Sequence, residues 1–265
     1  MKADESQSTE LATKIRRFCL EHGAHLVGFA PVDRFEGAPR GHHPRDFMPD
    51  CRTVVSIASR ILDRGLNHPR MMPEGSEFIP DEHLRDVMQY YLWEIESHGP
   101  TSDLLSDLAL RVAMVLQDEG HGSLCFRSSN GDLYGQYLQG RMRANTAVFS
   151  HRHAAVRAGL GEFGLNNLVI TREYGPRVRF VSVITTAEIE ATPLVKEKIC
   201  RGLSCGLCLR HCQPLGVLTV QPMHEADKVW LNTVSVTNTR LCAQTSSENH
   251  CKGQCIRSCP IGVRS

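Results

Sequence analysis

Eight of the chain's eleven cysteines fall within its last 66 residues, and this crowding constrains the fold more than any other feature. They form two runs. The first is Cys200-x4-Cys205-x2-Cys208-x3-Cys212, with Pro214 two places on. The second is Cys242-x8-Cys251-x3-Cys255-x3-Cys259, with Pro260 directly behind. Eight thiols in two sets of four suit two 4Fe–4S clusters, each held by four thiolates. Zinc is the main rival, because four-cysteine zinc sites use paired knuckles such as C-x2-C. Such knuckles do not need a fourth cysteine just before a proline, and here each run carries four cysteines in one stretch. A disulfide framework belongs to small secreted domains, and the polar MKADESQSTE at the N-terminus has no apolar export signal behind it.

The bacterial ferredoxin spacing, C-x2-C-x2-C-x3-C-P, gives three ligands to one cluster and sends the fourth, before the proline, to the other. Carried over, that rule assigns Cys200, Cys205, Cys208 and Cys259 to one cluster. Cys212, Cys242, Cys251 and Cys255 then hold the second. The spacing departs from the ferredoxin run in three places: x4 opens the first run, Gln213 separates Cys212 from Pro214, and x3 joins Cys251 to Cys255.

A chain of 265 residues can build one sizeable domain with its own core, plus a small appendage. Thirty Lys and Arg against 29 Asp and Glu leave a formal charge of +1, which is no electrostatic footprint for nucleic acid. No stretch approaches the length of a membrane span. The expected location is therefore a reducing cytoplasm, where thiolates are available for metal.

Residues 1–7 read as a frayed tail. Leu11, Ile15, Phe18 and Cys19 predict a helix over about 8–22, ended by Gly23. Strands are expected over 25–30, 53–59 and 123–128, the second continuous enough to be buried on both faces. Between the first two, residues 33–51 read as a long loop, including Arg40, His42 and His43. Apolar stripes predict helices over about 81–98 and 101–119, broken by Gly99-Pro100. Residues 130–150 are polar and loop-like. A short helix over about 151–159 leads into the glycine stretch, and residues 168–171 and 178–185 read as a hairpin around Glu173–Pro176. The pattern predicts an α+β sheet domain over 1–190 and a small cluster domain over 191–265. Cys19, Cys51 and Cys125 read as inert core thiols.

Gly159-x-Gly161-x-x-Gly164 has the spacing of a dinucleotide loop, but such a loop follows a strand and opens a helix. Here the order is reversed. The glycines instead suggest backbone closely approached by something bulky and flat. Nearby, His153 and Arg157 share a helix face, while His151 sits roughly opposite.

Several segments together resemble the epoxyqueuosine reductase-like iron–sulfur proteins, relatives of the corrinoid-dependent reductive dehalogenases. They are GAHLVGFAPVDRF, ANTAVFSH (144–151), HAAVRAGLGEFGLNNLVITREYGPRVR and the two cysteine runs. The resemblance covers about residues 8–263, and its most specific part is the A-G-L-G-x-x-G-x-N core from Ala158 to Asn166. It implies a nitroreductase-like, cobalamin-binding α+β domain followed by a ferredoxin-like two-cluster domain. It also implies that Asn145, Gly159, Leu160, Gly161, Gly164 and Asn166 lie at the corrinoid. Electrons would pass through the two 4Fe–4S clusters to a corrinoid-dependent reduction of a small molecule. Base-off Co(II) is hard to reduce, so a low-potential cluster must lie close to it.

The chain departs from these proteins at three points. Asn145 stands where they place an aspartate proton donor, and an amide cannot donate a proton as an acid does. Leu165 stands where they have Lys, and with five residues after Pro260 no C-terminal repeat domain for tRNA is expected. These differences argue for a small-molecule substrate in place of tRNA. Tyr134, Tyr137 and His151 become the candidate proton donors. The alternative is a redox partner protein that reduces another corrinoid or flavin protein and has no substrate chemistry of its own.

Overall fold

Two eight-residue strands form the centre of the molecule, because their runs of apolar and small residues can be satisfied only between two covering layers. The computed structural model describes residues 2–62, 98–128, 149–212, 216–220, 235–238, 241–242, 251 and 253–263. The central strands are β2 (Thr53–Arg60) and β6 (Val178–Thr185), paired antiparallel from Thr53↔Thr185 to Arg60↔Val178. β1 (Leu26–Pro31) flanks β2, and β3 (Ser123–Phe126) flanks β6, so the order is β1-β2-β6-β3 with every pairing antiparallel.

Side chains alternate across this sheet. On one face Phe29, Val55, Ile57, Val181 and Val183 pack with Ile15 of α1 (Lys2–Glu21). Leu105, Leu108 and Val112 of α3 (Gly99–Asp118) close the same core. Each such side chain contributes roughly 1.5–3 kcal/mol by leaving water. On the other face Ala30, Val54 and Ile184 meet Ala154 and Ala158, while Ala58, Val178 and Phe180 meet Ala155. These alanines belong to α4 (His151–Arg157) and its C-cap. The alanines keep this side of α4 close to the sheet. A Cβ on Gly28 would lie 2.2 Å from the Ala158 carbonyl oxygen, so glycine is what lets the helix end rest on the strand.

The mixed helix-and-sheet class and the doubly buried second strand are as read from the sequence. The expected hairpin is not formed. β5 (Val169–Ile170) pairs with β4 (Glu162–Phe163), and β6 instead enters the main sheet. A strand with buried residues on both faces cannot stay in a two-stranded ribbon. α1 begins at Lys2, within the expected tail. The loop over 33–51 contains α2 (Pro44–Phe47), opened by a capping box of His43 and Asp46. The helix expected over 81–98 lies outside the described residues apart from His98. Among the described residues, no helix is long and apolar enough to cross a membrane.

Beyond the sheet, two single-turn helices carry one cysteine each: Cys208 on α5 (Leu207–Arg210) and Cys255 on α6 (Gln254–Arg257). Each follows a glycine in the left-handed region, Gly206 at φ 57° and Gly253 at φ 66°, where other residues are strained. The two helices lie against each other. Between them in sequence, β7 (Leu218–Thr219) pairs antiparallel with β8 (Val236–Thr237).

Candidate metal-cluster site

Cys200, Cys205, Cys208 and Cys259 line one apolar pocket of about 360 Å³, counting the space open to solvent at its mouth. Leu165, Asn166 and Ile170 form its wall on the sheet side. The first run therefore contributes three of its cysteines to this pocket and the second contributes its last. Backbone donors point at the first ligand: the N–H groups of Leu165 and Gly202 each lie 3.4 Å from Cys200 Sγ. The Glu162 carboxylate accepts the N–H groups of Ile199 and Cys200, both at 2.7 Å, and ties the start of the run to β4.

The other four cysteines also gather. The Cys255 thiol is pushed up to about 12, first by burial and then by the neighbouring charges of Cys251, Cys212, Cys242 and Cys208. Burial and then Cys251 and Cys242 raise Cys212; burial and then Cys251 raise Cys242. In the first set Cys208 is pushed up to about 11 by burial, with Cys200 and Cys259 adding to it. Buried thiols that crowd one another stay protonated until a cation compensates them, and metal binding then releases the protons. Cys242 is exposed while the other seven cysteines of the two runs are half-buried, and Leu165, Asn166 and Ile170 place the first set's pocket against the sheet domain.

Among the described residues no three His, Cys, Asp or Glu side chains come close enough together to hold one metal ion. A four-iron cube spreads its thiolates over its corners, so its cysteines surround a cavity instead of meeting at a point. Four cysteines around an apolar pocket, with N–H groups aimed at a sulfur, fit such a cluster.

The cluster segment is fastened from one side. Arg177, 2% exposed, donates from one terminal nitrogen to the Ile261 carbonyl at 2.8 Å. Its other terminal nitrogen donates to the carbonyls of Cys259 at 2.8 Å and Arg257 at 3.2 Å. Beside it the backbones touch: a Cβ on Gly175 would lie 2.0 Å from the Ile261 carbonyl oxygen. The Asn166 amide donates to the Cys255 carbonyl at 3.1 Å, and the Asn167 amide to Thr237 Oγ1 at 3.0 Å.

The residues that the resemblance assigns to a corrinoid pack, where they are described, against the chain itself. A Cβ on Gly159 would lie 2.1 Å from the Pro193 carbonyl oxygen, and one on Gly161 would lie 2.4 Å from that of Ile170. One on Gly164 would lie 2.4 Å from Ile170 Cγ1. The space these glycines leave is filled by the chain itself. Leu160 packs into the cores beside α4 and against Gly28, and Asn166 is buried and spent on the second cysteine run. Asn145, Tyr134 and Tyr137 lie outside the described residues.

Both ring nitrogens of His151 are taken up within the protein. Its Nε2 donates to the Arg127 carbonyl at 2.8 Å, which leaves Nδ1 to accept from Ser182 Oγ at 2.9 Å. The ring is 8% exposed, and burial lowers its pKa to about 4. Burial likewise takes His153 down to about 4, helped by Arg152, Arg157 and His42. Cys19 and Cys51 are buried as expected, with burial raising them to about 12 and about 11; Cys125 is half-buried. Glu162 and Arg177, which hold the cysteine segment, were not singled out in the sequence. Their partners are backbone groups far along the chain, which no local motif marks.

No protein-family model matches the chain, and no curated protein sequence matches it. Solved structures do. The epoxyqueuosine reductase from Streptococcus thermophilus is 18% identical, with a TM-score of 0.54 over 94% of this chain and 65% of that one. An epoxyqueuosine reductase bound to an epoxyqueuosine-modified tRNA-Tyr stem loop is 17% identical, with a TM-score of 0.51 over 77% of this chain and 52% of that one. A reductive dehalogenase described with a mechanism for B12-dependent dehalogenation is 13% identical, with a TM-score of 0.57 over 95% of this chain and 32% of that one. The chain thus spans about half to two thirds of the reductases and about a third of the dehalogenase. At these identities the likeness is one of fold: the chain is folded like epoxyqueuosine reductases and reductive dehalogenases.

Proposed function

We propose that this chain is an iron–sulfur oxidoreductase in which a sheet domain, residues 1–190, receives electrons from two 4Fe–4S clusters carried by residues 191–265. The observation that carries the reading is the pocket in which Cys259 joins Cys200, Cys205 and Cys208. It is the exchange of fourth ligands that the two-run spacing implies. Cys212, Cys242, Cys251 and Cys255 hold the other cluster. When bound, the clusters supply one-electron transfer at low potential. The protein's own part is to exclude water with Leu165, Ile170 and Ile261, and to direct N–H groups at Cys200. Through Arg177 and Glu162 it fixes both ends of the cysteine segment to the sheet domain.

The shared fold with two kinds of reductase supports a reduction as the reaction class, and Asn145 and Leu165, where the sequence departs from the tRNA-acting reductases, are the ground for a small-molecule substrate. B12 dependence belongs to the dehalogenase relative, and a corrinoid is the cofactor to test here. A second reading is favoured by one observation: the Gly159–Gly164 loop is packed on its own chain. In that reading the protein hands electrons to a corrinoid or flavin protein and performs no reduction of its own.

Iron, zinc and cobalt should be measured in anaerobically purified protein, with and without prior incubation with cobalamin. About eight irons per chain are expected from two four-iron clusters. Retained cobalt supports the corrinoid-dependent reductase, and iron without cobalt supports the electron-transfer partner. Zinc in place of iron overturns both.

A further inference from the structure

Arg177 is the largest of the fully buried side chains among the described residues, and its guanidinium rests on the backbone that carries Cys259. A guanidinium stays charged at any working pH. Arg201 and Arg210, near the same cysteines, are exposed, and water and salt screen their charges far more than they screen a buried one. The pocket beside Arg177 also holds the two N–H groups aimed at Cys200 Sγ. In the second set, the backbone donor facing a thiol among the described residues is Leu218, at Cys212.

From this asymmetry we infer that Arg177 sets the reduction potential of the cluster held by Cys200, Cys205, Cys208 and Cys259 above that of its neighbour. The inference rests on the two-cluster reading proposed above. Reduction adds one negative charge to a cluster. A fixed positive charge and N–H dipoles nearby stabilise that added charge and raise the potential. An electron from a low-potential one-electron donor then runs downhill from the set containing the exposed Cys242 to the set against the sheet domain. One cluster loses the electron and the other gains it, and no bond or proton is involved. Arg177 acts here as a positioning and tuning residue, without touching substrate.

The test is an anaerobic redox titration of the full chain, followed by electron paramagnetic resonance at each potential. Cys205→Ala and Cys251→Ala assign each signal to its cluster. In the wild type, the signal lost in Cys205→Ala should belong to the higher-potential step. Arg177→Gln should lower that step alone, so that the reduced-to-oxidised ratio at fixed potential falls about tenfold, about 59 mV for a one-electron couple. Arg177→Lys keeps the charge and should stay near the wild type. The inference is overturned by a reversed order in the wild type, by a Gln variant with both potentials unchanged, or by Gln and Lys variants that shift alike. Should the Gln variant not fold, the wild-type order and the Lys variant decide: the expected order with an unshifted Lys variant supports the role, and a reversed order or a lowered Lys variant removes it. Iron content separates this from failure of the cluster reading. A chain without eight irons overturns both, whereas eight irons with the wrong potentials overturn only the role of Arg177.

Discussion

His151 illustrates how much of a residue's role lies in partners that are distant in sequence. Its letter, beside Arg152 and His153, offers an acid near a glycine loop. Ser182 and the Arg127 carbonyl, which fix the ring, sit on other elements, so nothing adjacent reveals them. Because folding depresses the ring's pKa from about 6.5 to about 4, the folded state favours the neutral form. The stability this contributes is complete above about pH 6.5 and is lost as the pH falls through about 4, an effect of about 3 kcal/mol at most. His153 is shifted the same way. His151→Phe should therefore cost roughly 1–3 kcal/mol at pH 7, where the buried Ser182 hydroxyl and the part-buried Arg127 carbonyl lose their hydrogen bond. It should also lose about half as much stability as the wild type between pH 7 and pH 5; urea unfolding at both values checks this, and an unchanged slope rules the ring out as a source. Glu162 makes a second case. Its carboxylate takes two N–H groups at the head of the first run, and charge-assisted bonds of this kind contribute about 1.5–3 kcal/mol. Glu162→Ala should free Cys200 and bring iron down to about four per chain, whereas Glu162→Gln, which still accepts a hydrogen bond, should retain more; equal iron in both variants would dismiss the tether.

For the elements, what the sequence conveys depends on whether a pattern is local. β2 was readable because seven apolar or small residues in a row are a property of the strand itself. β6 was seen as a strand and given the wrong neighbour, since Glu173–Pro176 looks like a hairpin turn and the strands that claim β6, β2 and β3, lie far earlier in the chain, β2 by over a hundred positions. The glycine loop makes a related point. Spacing reports that something approaches the backbone closely, and it is silent on whether the visitor is a ligand or Pro193 and Ile170. The seat of α4 on the sheet depends on the same kind of vacancy. Gly28→Ala places a methyl against the Ala158 carbonyl, and the helix must lift or the strand must bend. Overpacking of this sort costs typically about 1–3 kcal/mol. The melting temperature should fall by roughly 2–8 °C; a variant that melts with the wild type would show that α4 is not held so tightly.

For the molecule as a whole, the two cysteine runs suggest a metal chemistry, and the meeting of Cys259 with Cys200, Cys205 and Cys208 in one pocket was legible only through an imported spacing rule. The pocket makes that interleaving testable with iron counts alone. Cys259→Ala and Cys205→Ala should each leave about four irons, and so should the two together, because they strike one cluster. Cys259→Ala combined with Cys251→Ala should leave none. If instead Cys205→Ala with Cys259→Ala empties the protein, each run holds a cluster of its own.

The position of Cys259 in the pocket of the first run also bears on how the protein matures. As the ribosome delivers the chain, Cys200, Cys205 and Cys208 emerge early and wait with one corner of their pocket missing. The second run must arrive before that corner closes, and Arg177 and Gly175 meet its end at Cys259 and Ile261. If the pocket holds a cluster as proposed, its loading with iron waits until synthesis has passed Cys259. A nascent chain stalled short of that point would offer the assembly machinery three thiols where four are needed.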